Sequence, residues 1–489
     1  MLVWTSVQIS KRNIFMKNTI LKSILGASLL LSVTSCSDFG DMNVSPNSPA
    51  NPNTASLFTG AMRGVGGVVT NIVPALYVQQ FGDVTYIEES RYKTIQFDYS
   101  GTYTGPLNNL DYIIKLNTDE ATKNTAAANG SNANQIATAR ILKAYYYQSI
   151  TDRWGDVAYS TALKGATNFS PSFDTQQAIY NDLFKEWKEA QAQFDAGKTI
   201  SGDIILGGNV AKWKKFANSL RLIAALRLSK VDAAKGKTEF AAALADGVIT
   251  SNADNVTFKY LADANYEHPL YNNYITTNRK DYAVSSTFVN YLTKLKDPRL
   301  PAIADKNING EYKGVPYGVF PVAWKAQDVS LAAAAIRQQS SAVNVITYAQ
   351  VLLAQAEAAK LGWTTANAKQ LYEAAIKASM EQWGVYTEAA YNAYIAGADV
   401  AYNDAKAIEL ISTQRWITLF YQGSEAWAEW RRTGFPVLTP AEKPLNGGTA
   451  IPRRMAYPAN EATLNKTNYD AAVAKQGKDD QYTRVWWDK

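Results

Sequence analysis

Apolar positions recur at helical spacing through most of the chain. From Trp213 they fall at Phe216, Ala217, Leu220, Ala224 and Leu228, offsets of 3, 4, 7, 11 and 15 that share one helix face. From Val345 one face carries Tyr348, Ala349, Leu352, Ala356 and Ala359, with Gly362 as a stop. Ile179, Leu183, Trp187 and Ala190 mark another helix, for which Asp174 or Thr175 is the candidate cap. Further helices are predicted over 134–150, 237–247, 366–382 and 404–421. They pair along the chain: 134–150 with 175–195, 210–230 with 237–247, and 343–361 with 366–382. The first helix of a pair is rich in Ala, and the second tends to carry a Tyr or Trp. Such pairing resembles tetratricopeptide units, whose stacked hairpins bury one continuous core. The expected class is therefore mostly α.

Two stretches break the helical pattern. Residues 251–342 are dense in Tyr, Asn, Asp and Gly, with turn signals at Asp297-Pro298 and from Glu311 to Gly318. Residues 434–489 hold Pro436, Pro440, Pro444, Pro452 and Pro458. Long irregular segments within an ordered body are usually functional.

The beginning of the chain has its own grammar. Met16 opens MKNTILKSILGASLLLSVTSC, in which Lys17 and Lys22 precede an apolar run from Ile24 to Val33. That run is too short for a membrane-spanning helix, which needs about 20 apolar residues. Val33-Thr34-Ser35-Cys36 then has the form of a bacterial lipobox, where cleavage before Cys36 and acylation of its sulfur and amine create a lipid anchor. Residues 1–35 are read as a signal peptide with Met16 as the better start. Residues 36–55, rich in Pro, Asn and Ser, read as a flexible tether, and 56–489 as a single domain. Asp38 and Asp41 just after the cysteine resemble surface-export signals of Bacteroides-type lipoproteins.

Composition narrows the function. Hydrophobic residues make up 47% of the 489, enough for a large core. Removing residues 1–35, which carry four basic residues and no acid, lowers the net charge from +6 to +2. A nearly neutral chain gives no electrostatic case for nucleic acid. One Cys and one His, His268, exclude a disulfide and a multi-histidine or Cys-based metal site. No nucleophile elbow, phosphate loop or HExxH motif accompanies them, so neither catalysis nor a cofactor is expected.

Several segments taken in order carry a resemblance. They are DMNVSPN after Cys36, ITDRWGDVAYSTAL at 150–163, PSFDTQQAIYNDL at 171–183 and WKKFANSLRLIAALRLS at 213–229. DPRLPAI at 297–303, YKGVPYG at 312–318 and AQAEAAKLGW at 354–363 follow. QRWITLFYQGSEAWAEWRRTGFP at 414–436, RRMAYPANEATLN at 453–465 and RVWWDK at the end complete the set. Together they resemble the SusD/RagB family of outer-membrane nutrient-binding lipoproteins, in its SusD-like subgroup, over essentially the whole mature chain.

The resemblance implies about four tetratricopeptide-like helical hairpins carrying a large loop-rich face. It implies capture of oligosaccharides or peptides at the cell surface and delivery to a TonB-dependent, SusC-like barrel, with no catalysis. Some members bind calcium, but no acidic loop here leads us to expect it. The expected location is the outer membrane, lipid-anchored and facing outward. The motif residues read as structural. Asp152, Trp154, Gly155 and Asp156 suit a helix end, and Arg431 and Arg432 suit terminal carbonyls or carboxylates such as Glu425.

Sugar binding needs flat aromatic faces for C–H surfaces and polar groups for hydroxyls. The stretch 251–342 offers Tyr266, Tyr271, Asn273, Tyr274, Tyr282 and Trp324, with Arg279 among them. The early stretch offers Tyr86 and Tyr92, with Arg91, Tyr99 and Tyr103. These two stretches are expected to form one shallow site roughly opposite the tether. Two rivals remain from the sequence. A surface glycosidase would need paired carboxylates, for which Glu88 and Glu89 lack a grouped partner. A scaffold would use the helical hairpins to hold other proteins.

Overall fold

The computed structural model describes residues 53–489. The signal peptide, Cys36, the tether and the position of the binding face relative to that tether lie outside the described residues, apart from the first helix, which begins at Thr54. Helices α1 (Thr54–Val69) and α2 (Ile72–Tyr77) lead into strand β1 (Phe81–Asp83), and α3 (Asn108–Thr118) follows. Then come α4 (Asn132–Trp154), α5 (Gln176–Gln193), α6 (Val210–Arg227) and α7 (Ala233–Asp246). The irregular middle contains β2 (Val256–Lys259), β3 (Tyr282–Val284) and α8 (Ser286–Leu295). After β4 (Ala342–Ile346) the helices resume with α9 (Tyr348–Lys360), α10 (Ala368–Gln382), α11 (Ala407–Thr418) and α12 (Gly423–Thr433), and later α13 (Lys466–Gln476). Consecutive helices pack in pairs: α4 on α5, α6 on α7, α9 on α10 and α11 on α12.

Local chemistry sets the boundaries. Thr175, not Asp174, caps α5, its hydroxyl accepting from the Ala178 N–H at 3.2 Å. Asp174 instead accepts from the N–H groups of Tyr159 and Ser160 at 3.2 and 2.8 Å, tying the loop after α4 to the start of α5. Ser131, Asn209, Asp232, Thr347 and Asn367 cap their helices in the same way. Gly155 ends α4 at φ +84°, where a Cβ would meet the side chain of Gln476. The face counted from Val345 is corrected at its start. Ala342–Ile346 is a strand, paired antiparallel with β2, and α9 begins only at Tyr348. The β-branched residues Val343, Val345 and Ile346 favour the extended backbone there.

The helix faces read from the sequence enclose one large core. Trp187, Trp213, Trp427 and Trp487 are fully buried in it. Each strand pairing is two-stranded, so sheet contributes edges and not a core layer.

Within this core the structure places charge. Arg415 on α11 donates to Glu357 on α9 at 2.6 Å and to Glu429 on α12. Arg432 donates to the same Glu357 at 2.5 and 2.7 Å and to Glu429 at 2.6 Å. Arg227 on α6 reaches Glu425 at 2.7 Å and Glu429 as well. Burial pushes the Glu357 carboxyl up, but Arg432 and Arg415 outweigh it and hold its pKa at about 2. The Arg432 partner is thus Glu357 with Glu429, while Glu425 serves Arg227. Arg431 donates to the carbonyls of Asp152 and Arg453, at 2.7 and 2.9 Å. The indole N–H of Trp487 donates to Asp152 at 2.9 Å and locks the C-terminus against α4.

Candidate functional site

The two aromatic stretches meet through the backbone. β1 pairs antiparallel with β3, so that Asp83 faces Tyr282 and Phe81 faces Val284. The Val84 N–H continues the ladder to the Asp281 carbonyl at 2.6 Å. Residues nearly two hundred positions apart in the sequence therefore emerge side by side.

The loop that follows β1 is held by one residue. Asp83 accepts from the Ser90 N–H at 2.7 Å, and its own N–H donates to the Ser90 hydroxyl at 3.0 Å. Burial raises the Asp83 pKa to about 7, against the lowering effect of the Ser90 bonds. This turn projects Tyr86, 61% exposed. From the other stretch, Asp281 accepts from the Asn273 amide at 2.8 Å and pairs with Arg279 at 2.7 Å. Arg279 then lies over the Tyr86 ring, 5.7 Å from its centroid. Tyr282 is half-buried beside them, and burial lifts its phenol to about 12.

The remaining expected residues divide. Trp324 is half-buried against a small apolar cluster of Val84, Ala283, Val315 and Val329, beneath the same strand pair. Tyr271 is half-buried. Tyr266 is 46% exposed, but the Arg63 guanidinium covers one side of its ring at 3.6 Å. Asn273 braces the 273–281 turn from within, accepting from the Asp281 N–H at 2.9 Å. Tyr92 and Tyr274 are corrected as platforms, because both are core residues. Tyr92 is 0% exposed, with its hydroxyl accepting from the Ala441 N–H at 3.1 Å. Tyr274 is 1% exposed, its hydroxyl donating to the Tyr282 carbonyl at 2.6 Å. Tyr99 is also buried, and Tyr103 is half-buried with its hydroxyl donating to the Ala158 carbonyl.

The sequence reading passed over one further exposed ring. Phe320 is 55% exposed and lies 5.4 Å from the Arg91 guanidinium. Its position next to Pro321 in a short apolar run was the available signal. Arg91 is itself fixed by donating to the Lys443 carbonyl at 2.8 Å.

Tyr86 and Phe320 are thus exposed rings, each beside an arginine. His268 is fully buried between Tyr260 and Tyr421, and burial lowers its pKa to about 4. Its Nδ1 accepts from the Leu270 N–H, so it is a neutral core residue and no general base. Glu89 accepts from the Thr94 hydroxyl at 2.5 Å. Among the described residues no group of three or more His, Cys, Asp or Glu could hold a metal ion, and no helix is long and apolar enough to cross a membrane. Roomier clefts lie elsewhere, about 340 Å³ beside Arg140 and Tyr159 and about 300 Å³ beside Tyr402 and Lys406. Their lining includes none of the expected site residues.

Comparison with known proteins follows this geometry. Residues 46–458 match the model of the SusD-like family, described as starch-binding and associating with the outer membrane. A solved chitin-binding protein is 30% identical, with a TM-score of 0.78, covering 89% of this chain and 100% of its own. A SusD-like protein from Bacteroidetes AC2a is 26% identical, with a TM-score of 0.79, covering 90% of this chain and 100% of its own. A SusD homologue from Bacteroides uniformis is 25% identical, with a TM-score of 0.76 and the same coverage. No curated protein matches the sequence.

Proposed function

The chain belongs to the SusD-like family of outer-membrane nutrient-binding proteins, non-catalytic partners of SusC-type transporters, and on that premise we propose that it captures a β-linked N-acetylglucosamine oligosaccharide on the face built around Tyr86 and Tyr282. The observation that carries the reading is the β1–β3 pairing, which sets an exposed Tyr86, its covering Arg279 and Tyr282 on one surface. Rings of this kind stack on the C–H side of a pyranose, while Arg279 and nearby amides take hydroxyl and acetamido groups. Phe320 and Arg91 extend the surface toward a second sugar. Tyr266 and Tyr271 form its periphery, with Trp324 and Asn273 supporting it from below. The choice of sugar rests on the chitin-binding relative, 30% identical over nearly the whole chain.

In this reading residues 1–35 are removed, Cys36 is triacylated and residues 36–55 form a tether. The domain 56–489, with about four tetratricopeptide-like hairpins, then stands on the outer face beside its barrel. The test is calorimetric titration with chitohexaose, maltohexaose and a tripeptide. Saturable binding of chitohexaose that Tyr86→Ala weakens supports the proposal. Preference for maltohexaose or for peptide overturns the choice of ligand, and unchanged binding by Tyr86→Ala overturns the choice of face.

A further inference from the structure

A cleft of about 300 Å³ opens between α8, α10, α11 and the loop 396–406, lined by none of the residues of the aromatic face. Three tyrosines stand in its wall. Tyr291 and Tyr402 are half-buried, and the buried Tyr372 has its ring centroid 5.7 Å from that of Tyr402. The loop is held in shape from within. The Tyr372 hydroxyl donates to the Val400 carbonyl at 2.8 Å, and the Ala401 N–H donates to the Gly397 carbonyl at 2.7 Å. Tyr291 packs edge-on against the Trp416 indole, with centroids 5.5 Å apart. These rings are therefore placed before any ligand arrives, which spares a ligand the cost of ordering them.

Several polar groups of the same wall are not spent on one another. Thr413 on α11 is only 7% exposed, yet its hydroxyl has no hydrogen-bond partner among the described residues. A helical threonine commonly bonds back to the carbonyl four residues earlier, as Thr293 does at 2.8 Å. Lys406 and Glu409 line the cleft too, and neither forms an ion pair with the other or with any further described residue. Asn403 uses its carbonyl oxygen on the Ala405 N–H at 2.9 Å and leaves its amide donors open. Gln414 is different, since Arg299 and Tyr394 take both ends of its amide. The remaining charges, Lys294 and Asp399, pair at 3.0 Å. Positive and negative groups thus balance across the lining.

A charged ligand would leave one side of that balance unmatched. A purely apolar ligand would strip water from Thr413, Lys406 and Glu409 and return no hydrogen bond. The wall is matched by a small neutral molecule with an apolar face for the tyrosine rings and hydroxyls that both donate and accept. Such hydroxyls donate to Glu409 and accept from Lys406 and the Asn403 amide. A sugar ring has this form. Pockets for small ligands begin at about 300 Å³, so the cleft takes a single sugar and not a long chain.

We propose that this cleft is a second binding site, separate from the Tyr86 face, for one neutral sugar held between the rings of Tyr291 and Tyr402 and bonded by Thr413, Lys406 and Glu409. The test uses the full chain carrying Tyr86→Ala, so that the fate of the Tyr86 face does not decide the result. Glucose, N-acetylglucosamine, glucuronate and glucosamine are titrated in turn, with saturation-transfer NMR of the sugar and melting temperature as readouts. Saturable binding of glucose or N-acetylglucosamine is expected, with the two charged sugars weaker. Adding Tyr402→Ala should weaken it about tenfold. Adding Thr413→Val keeps the shape of the wall, removes only the hydroxyl and should weaken binding about fivefold. If Tyr402→Ala fails to fold, Thr413→Val decides. Absence of saturable binding, meaning that the cleft holds water only, overturns the proposal. So does a preference for either charged sugar, or affinity that the folded Tyr402 and Thr413 variants leave unchanged. Binding found only while Tyr86 is present belongs to the aromatic face and overturns it as well.

Discussion

The guanidinium of Arg279 lies 5.7 Å from the centroid of the Tyr86 ring, and the 2.7 Å ion pair with Asp281 holds it there. A residue of the early stretch is thereby braced by one from the irregular middle. On the proposed reading, the ring offers its other side to a ligand and loses little freedom when it binds.

Tyr86→Ala should weaken oligosaccharide binding by about thirtyfold, the size expected for a stacking ring at the centre of a site. Stability should change by no more than about 0.5 kcal/mol, since the ring is mostly exposed. Calorimetric titration and a thermal melt on the same sample check both halves.

Tyr274→Ala and Trp213→Ala should behave in the opposite way. Each leaves a cavity; Tyr274→Ala also takes the hydroxyl donor from the Tyr282 carbonyl, and Trp213→Ala removes one of the donors to the Asp203 carboxylate. A loss of about 3–5 kcal/mol is expected on denaturant unfolding. Trp213→Ala, remote from the face, should keep its affinity once folded.

Two buried groups give stability opposite dependences on pH. His268 has its pKa lowered to about 4, so the neutral form is favoured by folding. Its contribution is present above about 6.5 and is lost as pH falls through 4. Asp83 has its pKa raised to about 7, so folding favours its protonated form. Its contribution is full below about 4 and is lost as pH rises through 7. Relative to wild type between pH 4 and 8, the slope of unfolding free energy against pH should become more negative in His268→Gln and more positive in Asp83→Asn. The chain has one histidine, so its imidazole titration is directly assignable by NMR.

Arg415→Met should cost about 3–5 kcal/mol, because Glu357 stays buried with one of its two arginines gone and Glu429 with one of its three. Added salt should not restore the loss, as it would for a surface pair. Urea unfolding at two ionic strengths tests this.

Cys36→Ala should remove the protein from the outer-membrane fraction when no barrel partner is co-expressed. Persistence in that fraction would rule out the lipid anchor.

Much of the helical architecture was legible because amphipathic spacing is a local property. The face from Trp213 to Leu228 is buried as its spacing requires, and α5 begins one residue from its predicted cap. The strand at Val343–Ile346 was hidden because its apolar run merges into the helix that follows. Choosing between them needs the partner strand at 256–259, far away in sequence. That the two aromatic stretches belong together was legible, but not which of their rings face solvent. Composition marks Tyr86, Tyr92 and Tyr274 alike. What separates them is Tyr92 at φ +64°, turned inward under Ala441, and Tyr274 closing on the Tyr282 carbonyl. Phe320 escaped notice because an aromatic ring beside proline carries no periodicity.

The strand pairing of Phe81–Asp83 with Tyr282–Val284 also governs the order in which the molecule is completed. The early half of the face is synthesised first, yet it has no backbone partner until about two hundred further residues have followed. Gln481 then reaches back to Tyr77 and Thr94, both at 2.9 Å, so the final residues close the same region. Helical pairs along the way can form from neighbouring segments as they appear. The face therefore acts as a completeness check: a chain that ends before Tyr282 lacks the partner strand of Phe81–Asp83 and has no assembled surface to offer a ligand.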